Sequence, residues 1–231
     1  MKIFVLTGAG ISAESGINTF RAADGLWENH RIEEVATPQG FARNPALVHK
    51  FYNARRAALK TVYPNPAHKA LARLESALAQ KGGGLTVVTQ NVDDLHERGG
   101  VGSFIHMHGE LISVFCTACK HKWEWREDLS EQSICPACQS LGTLRPDIVW
   151  FGEMPYHMDV IERALRACDL FVSIGTSGAV YPAAGFVNGA RSMGKATLEI
   201  NLERSEGSHL FDETRLGKAG TLVPEWVESL I

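Results

Sequence analysis

The sequence predicts an α/β fold with a doubly wound parallel sheet and a smaller inserted domain. Four short apolar runs indicate strands, at Ile3–Thr7, Leu85–Thr89, Leu170–Ile174 and Thr197–Ile200. Runs that are apolar almost throughout are typical of strands covered on both faces of a parallel sheet. Helical patterns lie between these runs, at Pro66–Gln80, Met158–Cys168 and Pro182–Met193. This alternation of strands and helices favours the doubly wound architecture.

Each predicted strand leads into a turn that is polar or contains glycine. In chain order, these turns are Gly8–Gly10, Gln90–Asp93, Gly175–Ser177 and Asn201–Glu203. In doubly wound sheets, ligands bind beyond the carboxyl ends of the strands. We therefore expect the four turns to converge on one binding site.

Two segments interrupt the alternation. Asp24–Tyr63 contains no strand-like run and indicates a loop with helices, whereas Cys116–Thr143 is rich in turns and carries four cysteines. We expect these insertions to form the smaller domain within one functional unit of residues 1–231. The large part then comprises about 1–23, 64–107 and 148–231, and the small part comprises about 24–63 (helical) and 108–147 (cysteine-containing).

The composition is that of an ordinary globular protein. Hydrophobic residues make up 45% of the 231 residues, charged residues make up 21%, and the formal net charge is −3. This charge argues against a general nucleic-acid binder, which needs a cationic face. The first residues, Met1–Thr7, lack the long apolar core of a signal peptide, and no apolar run approaches the ~20 residues of a membrane helix. We expect a cytoplasmic protein without membrane or specific nucleic-acid partners.

The first turn fits a phosphate-binding pattern. Gly8-Ala9-Gly10-Ile11-Ser12-Ala13 matches G-x-G-x-x-A directly after a strand, where glycines let the backbone approach a pyrophosphate. A bare strand-to-helix turn is the alternative. A dehydrogenase would reach a second strand with an acidic residue ~20 residues later, but Thr19–Trp27 indicates a loop. The sequence therefore predicts a dinucleotide site and weakens a hydride-transfer function.

The cysteine spacing predicts a zinc site. Cys116-x-x-Cys119 and Cys135-x-x-Cys138 are separated by fifteen residues, which fits the pattern of a four-cysteine tetrahedral Zn²⁺ site. Four protein ligands leave no open position, so we expect one structural zinc ion. A nucleic-acid zinc ribbon is the competing use, but acidic residues offset the basic ones around the cysteines. The fifth cysteine, Cys168, stands alone in an apolar helical stretch.

Taken together, these motifs resemble the sirtuin family over essentially the whole chain. The matching residues are Gly8–Ser12, Gly16-Ile17, Phe20-Arg21, Gln90–Asp93, His108-Gly109, the four cysteines, Phe151–Glu153 and Gly175–Ser177. Further details resemble the bacterial class III group, at Gly25–Trp27, Tyr52-x-x-Arg55 and Arg145–Glu153. The resemblance implies a Rossmann-like, NAD-dependent protein-lysine deacylase with NAD as co-substrate.

The resemblance also implies a reaction. The acyl oxygen of the modified lysine attacks the nicotinamide ribose, nicotinamide leaves, and a histidine acts as general base, giving free lysine and O-acyl-ADP-ribose. A histidine suits this role because its pKa lies near neutral pH. The sequence alone does not choose between His106 and His108, whereas the family's His-Gly pair selects His108. The implied catalytic residues are His108, Asn91 and Gln90.

Roles for individual residues follow from the same resemblance. Asn91 and Asp93 would face the nicotinamide amide, which needs a donor and an acceptor in fixed geometry. The implied NAD-binding set is Gly8, Ala9, Gly10, Ile11, Ser12, Ala13, Gly16, Ile17, Phe20, Arg21, Trp27, Gln90, Asn91, Val92, Asp93, Gly175, Thr176, Ser177, Asn201, Leu202, Glu203 and Ala219. Val149, Phe151 and Gly152 would line the lysine tunnel and pair with the substrate backbone by strand addition.

A predicted helix at His49–Lys60 would select the acyl group. Tyr52 and Arg55 share one helical face, and Arg56 shares it almost as well. A solvated face is the alternative for such a pattern alone. In class III sirtuins the Tyr-x-x-Arg pair receives a carboxylate, a task that suits the guanidinium fork. We therefore expect succinyl-, malonyl- and glutaryl-lysine as substrates, with acetyl-lysine also accepted.

Two other functions stay open at this point. A protein mono-ADP-ribosyltransferase would use the same NAD site and the same first chemical step. A non-enzymatic zinc-ribbon binding protein is disfavoured by the NAD motifs and the negative net charge. We expect the protein to act as a monomer on acylated protein substrates.

Overall fold

The architecture follows from eleven strands and eight α-helices in the described part of the chain; the computed structural model describes residues 1–18, 26–27 and 30–231. The strands are β1 (Lys2–Thr7), β2 (Leu26–Trp27), β3 (His30–Arg31), β4 (Gly84–Thr89), β5 (Phe104–His106), β6 (Gly109–Cys116), β7 (Lys122–Glu124), β8 (Leu144–Ile148), β9 (Leu170–Ile174), β10 (Ala196–Asn201) and β11 (Glu213–Leu216). The helices are α1 (Ile32–Val35), α2 (Pro38–Arg43), α3 (Pro45–Ala58), α4 (Pro66–Gln80), α5 (Leu95–Arg98), α6 (Met158–Ala167), α7 (Phe186–Ser192) and α8 (Ala219–Glu228). Within these residues, no helix has the length and apolar character needed to cross a membrane.

The main sheet has six parallel strands in the order β11-β10-β9-β1-β4-β5. The chain builds outward from β1 through β4 and β5, and then returns to place β9 on the other side of β1. The carboxyl ends of β1 and β9 therefore form the switch point at which ligands bind in doubly wound sheets. This arrangement confirms the predicted fold class and directs attention to the turns after Thr7 and Ile174.

Alternate residues of β1 enter two separate cores. Ile3 and Val5 pack with α4 and α8 residues on one face of the sheet, whereas Phe4 and Leu6 pack with α6 and α7 residues on the other. All four β1 residues are at most 3% exposed. Burial on both faces explains why the strand is apolar throughout, and it holds the following glycine turn on a rigid base.

The predicted elements agree closely with the observed ones. All four predicted strands and the helix Pro66–Gln80 are confirmed. The predicted helix at Met158–Cys168 ends one residue earlier, because Cys168 adopts an extended conformation. The helix predicted from Pro182 begins only at Phe186, after a 3-10 turn at Ala183–Gly185.

The two inserted segments pack against each other. Residues of α3, among them Val48 and Phe51, share one buried cluster with Leu111 of β6 and with Ile148 and Trp150 around the end of β8. Strands β7, β6 and β8 form a three-stranded antiparallel sheet. This packing supports a small domain built from both insertions, and its boundaries stay a prediction.

The prediction that 24–63 lacks strands is wrong in one detail. Within the described residues of this segment, Leu26–Trp27 pairs antiparallel with His30–Arg31. Strands of two residues are too short for a periodic pattern to reveal them. The helical part of the prediction holds, and α3 begins at Pro45, four residues before the predicted start.

Candidate functional site

The glycine turn after β1 meets the turn after β9 in backbone-to-backbone contact. The N–H of Gly10 donates to the oxygen of Gly175 at 2.9 Å. A Cβ atom on Gly10 would lie 2.6 Å from the Cα of Gly175, and one on Gly8 would lie 2.7 Å from the Gly175 oxygen. Both positions therefore require glycine, and the two turns form one continuous backbone surface at the switch point.

The turn after β4 is tied to the same place by side chains. Ser12 accepts a hydrogen bond from the amide of Asn91 at 3.1 Å and donates to the carboxylate of Asp93 at 3.0 Å. Asp93 is buried, and burial raises its pKa to about 6 against the opposing effect of bonds from Leu95 and Ser12. The three side chains thus place an amide and a titratable carboxyl group side by side.

A buried polar layer supports these turns from below. Asn65 donates to the backbone oxygen of Ile11 at 2.7 Å and caps α4. His96 lies 2.9 Å from the hydroxyl of Thr7, and its ring is 5.0 Å from that of His68. Burial lowers the pKa of His68 to about 4 and lowers that of His96 well below its ordinary value. Both rings are therefore neutral at pH 7 and act as supports.

Two other histidines lie at the end of β5, and their surroundings differ. Nδ1 of His108 is 3.2 Å from the backbone oxygen of Gln90. Burial lowers the pKa of His108, partly offset by this bond. Because a backbone oxygen only accepts, Nδ1 carries the proton and Nε2 carries a lone pair. This is the protonation state that a general base needs.

His106 is held in another way. Its Nδ1 lies 3.1 Å from the backbone oxygen of Asn91, and its Nε2 lies 2.8 Å from a carboxylate oxygen of Glu97. Burial lowers the pKa of His106, but the bond to Glu97 and its charge outweigh this effect and raise the pKa overall. A charged ring with both nitrogens engaged is poorly suited to accept a proton. The geometry therefore supports the choice of His108 as base.

The turns after β9 and β10 complete the convergence that the sequence predicts. The side-chain amide of Asn201 donates to the backbone oxygen of Thr176 at 2.7 Å. A small pocket lies beside this contact, with Gln90, Ser173 and Gly178 among its lining residues. All four turns thus border one region of the sheet edge.

Tyr52 and Arg55, which the sequence predicts to select the acyl group, lie in two different environments. Tyr52 is completely buried, and its oxygen accepts a hydrogen bond from the indole N–H of Trp150 at 2.9 Å. Arg55 is half-buried, with its guanidinium 3.2 Å from the centre of the Phe51 ring and one N–H donating to the Phe51 oxygen. The Tyr52 hydroxyl is therefore closed off from solvent, whereas Arg55 is partly accessible.

Arg56 has a structural position. It is 3% exposed and donates to the backbone oxygens of Leu111 and Glu127 and to the side chain of Asn53. Burial lowers its pKa to about 10, so it stays charged at neutral pH. These bonds join α3 to the cysteine-containing module, so Arg56 has a structural role that Arg55 does not share.

The segment after β8 is fixed by an ion pair. Arg145 donates to both carboxylate oxygens of Glu153, at 2.8 and 2.9 Å, and its guanidinium stacks 3.4 Å from the Trp150 ring. The N–H groups of Val149 and Phe151 donate to His108 and Ala36 backbone oxygens. These two N–H groups are engaged within the chain and are therefore not available to an added peptide strand.

The four cysteines of the two Cys-x-x-Cys motifs form one cluster. The sulfurs of Cys116 and Cys138 are 3.7 Å apart, as are those of Cys119 and Cys135. Zn–S bonds of about 2.3 Å in a tetrahedron place the sulfurs ~3.8 Å apart. The distances fit one zinc ion held by all four cysteines, as the sequence predicts.

Comparison with known proteins identifies the family. The Sir2 family model matches residues 8–182. This chain belongs to the Sir2 family. A relative from Caulobacter vibrioides named "NAD-dependent protein deacylase" is 60% identical over 231 residues, covering 100% of this chain and 97% of the relative. One from Pasteurella multocida with the same name is 56% identical over 233 residues, covering 100% and 98%.

A solved Sir2 homologue in complex with NAD has the same fold. It superposes with a TM-score of 0.88 at 41% identity, covering 99% of this chain and 88% of that one. The sequence-based assignment to the sirtuins is therefore confirmed. The roles of individual residues in this Sir2 protein stay predictions, and Phe20 and Arg21 lie outside the described residues.

Sequence reasoning missed several supporting residues of this Sir2 site. Asn65 carries a recognisable signal, since an asparagine before a proline is typical of a helix N-terminus, but nothing in the sequence connects it to Ile11. Glu97 and Trp150 act through His106 and Tyr52. Their contacts join residues 9 and 98 positions apart, and therefore no local pattern predicts them.

Proposed function

We propose that this Sir2-family protein is an NAD-dependent protein-lysine deacylase that favours acyl groups ending in a carboxylate. The activity common to its relatives, NAD-dependent deacylation of proteins, is supported by matches to named deacylases at 55 to 60% identity across nearly the whole chain. The acyl preference is our extension. The observation that carries it is the half-buried guanidinium of Arg55, which stacks on Phe51 and whose charge acts on the adjacent Tyr52.

NAD fits the residues that the structure brings together. The Gly8–Gly10 and Gly175–Ser177 turns lie in contact at the switch point, where a pyrophosphate binds in this fold class. Asn91 and Asp93 offer an amide and a carboxyl group linked through Ser12. NAD would supply the ribose carbon that accepts the acyl oxygen as nicotinamide leaves.

The remaining chemistry falls to residues of the chain. His108 holds a lone pair on Nε2 because Nδ1 faces the Gln90 oxygen, so Nε2 is the atom that takes a proton from a ribose hydroxyl. Asn91 and Asp93 orient the nicotinamide amide. Arg55 supplies a permanent positive charge for the terminal carboxylate of the acyl group, whose burial without a partner is costly.

The test is a product assay with defined substrates. Acetyl-, malonyl-, succinyl- and glutaryl-lysine peptides are incubated with and without NAD and analysed by mass spectrometry. We expect NAD-dependent loss of every acyl group, with higher kcat/KM for the acidic ones. Equal or lower kcat/KM for the acidic acyl groups contradicts the acyl preference. ADP-ribosylated peptide as the main product would instead assign the protein as an ADP-ribosyltransferase.

A further inference from the structure

His106 lies between two groups that can only accept hydrogen bonds. Its Nδ1 faces the backbone oxygen of Asn91 at 3.1 Å, and its Nε2 faces the carboxylate of Glu97 at 2.8 Å. A backbone oxygen and an ionised carboxylate both lack a proton to donate. Both ring nitrogens must therefore carry protons, which makes the ring a cation, although its side chain is only 5% exposed.

The charges around the ring favour the cation. Glu97 of α5 and Glu110 of β6 face the ring. One carboxylate oxygen of each and one ring nitrogen of His106 lie within 4.8 Å of one another. Asp93 lies near enough for its carboxylate to interact favourably with a charged His106. His96 is the opposing neighbour, and burial keeps it neutral. Three carboxyl groups thus surround one imidazolium ring.

The His106 ring contacts the backbone of the Gln90–Asp93 turn, which carries the proposed catalytic residues. His106 bonds the backbone oxygen of Asn91, and His108 bonds that of the preceding residue, Gln90. Two histidines that are two residues apart therefore hold consecutive backbone oxygens of a single turn. The side chain of Asn91 leaves that same turn to meet Ser12 at 3.1 Å.

We propose that His106, charged and held by Glu97, is a positioning residue that fixes the Asn91 carbonyl and so orients the nicotinamide end of NAD. The inference rests on the proposed NAD site. When His106 loses a proton, either the Asn91 bond is lost or two acceptors face each other at Glu97. A charged His106 contributes below its raised pKa, and the contribution disappears as the pH rises through that value. NAD binding should therefore weaken on the alkaline side.

Three variants separate the parts of this arrangement. His106→Leu removes the donor, and we expect the KM for NAD to rise ~10-fold or more with the KM for peptide unchanged, because small misplacements at a reacting centre cost up to about 10²-fold. His106→Gln keeps one N–H for the carbonyl and should recover most of the loss. Glu97→Gln removes the charge that holds the proton, so its KM for NAD should begin to rise at a lower pH than in the wild type. His209→Gln, at an exposed histidine, is the control.

The protonation state of His106 can also be measured directly, without an activity assay. Nitrogen-15 chemical shifts of the His106 ring should show both nitrogens protonated at pH 7 in the wild type and not in Glu97→Gln. A neutral wild-type ring, or identical pH dependence of the KM for NAD in Glu97→Gln and wild type, overturns the proposal. So does a second zinc ion per chain that disappears in His106→Leu, since that result makes the three side chains a metal site. Absence of NAD binding by the wild type in calorimetry refutes the proposed function itself.

Discussion

The indole N–H of Trp150 donates to the phenolic oxygen of Tyr52 at 2.9 Å, between side chains that are 2% and 0% exposed. This bond joins the segment after β8 to α3. Burial raises the pKa of Tyr52, with the Trp150 bond opposing the shift, so the phenol is protonated in the neutral range. Because its oxygen already accepts from Trp150, the hydroxyl proton is directed to a different acceptor. In our proposal that acceptor is the acyl carboxylate.

Trp150→Phe should therefore weaken acyl selection while leaving the reaction intact. We expect the ratio of kcat/KM for succinyl over acetyl peptide to fall about 3- to 10-fold, since a single hydrogen bond contributes ~1 kcal/mol. The ratio is measured on both peptides at saturating NAD. Trp123→Phe, in the cysteine-containing module, controls for the loss of an indole elsewhere. If both activities fall equally, Trp150 acts only through packing.

Substitution of Arg55 should change substrate selectivity, whereas substitution of Arg56 should change stability. Arg55→Met removes the charge near the acyl group, so desuccinylation should fall about 30- to 150-fold while deacetylation survives, since a charge-assisted contact is worth about 2–3 kcal/mol. Arg56→Met removes three bonds of a buried side chain, so it should cost on the order of 2–4 kcal/mol in free energy of unfolding. Its succinyl-to-acetyl ratio should stay near that of the wild type.

Peptide kinetics measure the selectivity ratio of each variant, and denaturant unfolding measures its free energy of unfolding. A collapsed selectivity ratio in Arg56→Met with an unchanged ratio in Arg55→Met would mean that the other arginine meets the acyl group. An unchanged ratio in both variants would make the protein a plain deacetylase. Tyr52→Phe should lower the ratio less than Arg55→Met, because it removes a hydrogen bond without removing a charge.

The elements that sequence predicts well are those whose pattern reflects burial. Strand β9 is predicted to the residue, since each of its residues is covered by one of the two cores or by neighbouring strands. Strands β5 and β11 lie at the sheet edges, and they contain only three and four residues. Edge strands so short contain no repeated pattern, so the sequence does not predict them.

The candidate site also has features that the sequence predicts and features that it does not. Convergence of the four turns follows from the position of strand ends in a doubly wound sheet, and the structure confirms it. The difference between His106 and His108 does not follow from sequence, because it depends on Glu97 from α5 and on which backbone oxygen faces each ring. Tertiary partners fix the chemistry of residues that are equivalent in the sequence.

The cysteine cluster should hold one zinc ion per chain with a structural role. Metal analysis of purified protein should give one zinc, and Cys135→Ser, at a completely buried ligand, should lose it. Binding of the metal supplies free energy for folding of the module. Removal of the metal should therefore lower the melting temperature and abolish activity. Cys168→Ser, at the cysteine outside the cluster, should retain the zinc. Active, zinc-free protein would contradict this prediction.

The acid side of the pH profile should contain two titrations. His108 must be neutral to act as base, and burial lowers its pKa, so activity is present above that pKa and lost as the pH falls through it. Asp93, whose pKa is raised to about 6 by burial, is a second group that should take up a proton on this side. We therefore expect kcat/KM for NAD to begin falling near pH 6 in the wild type. In Asp93→Asn the part of the fall that Asp93 causes should be missing, so that only the titration of His108 remains, from a reduced plateau. His108→Ala should lose ~10²- to 10⁴-fold in kcat at every pH while still binding NAD. Retained turnover in His108→Ala would show that another group is the base, and an acid limb that is identical in Asp93→Asn and the wild type would show that Asp93 does not contribute to it.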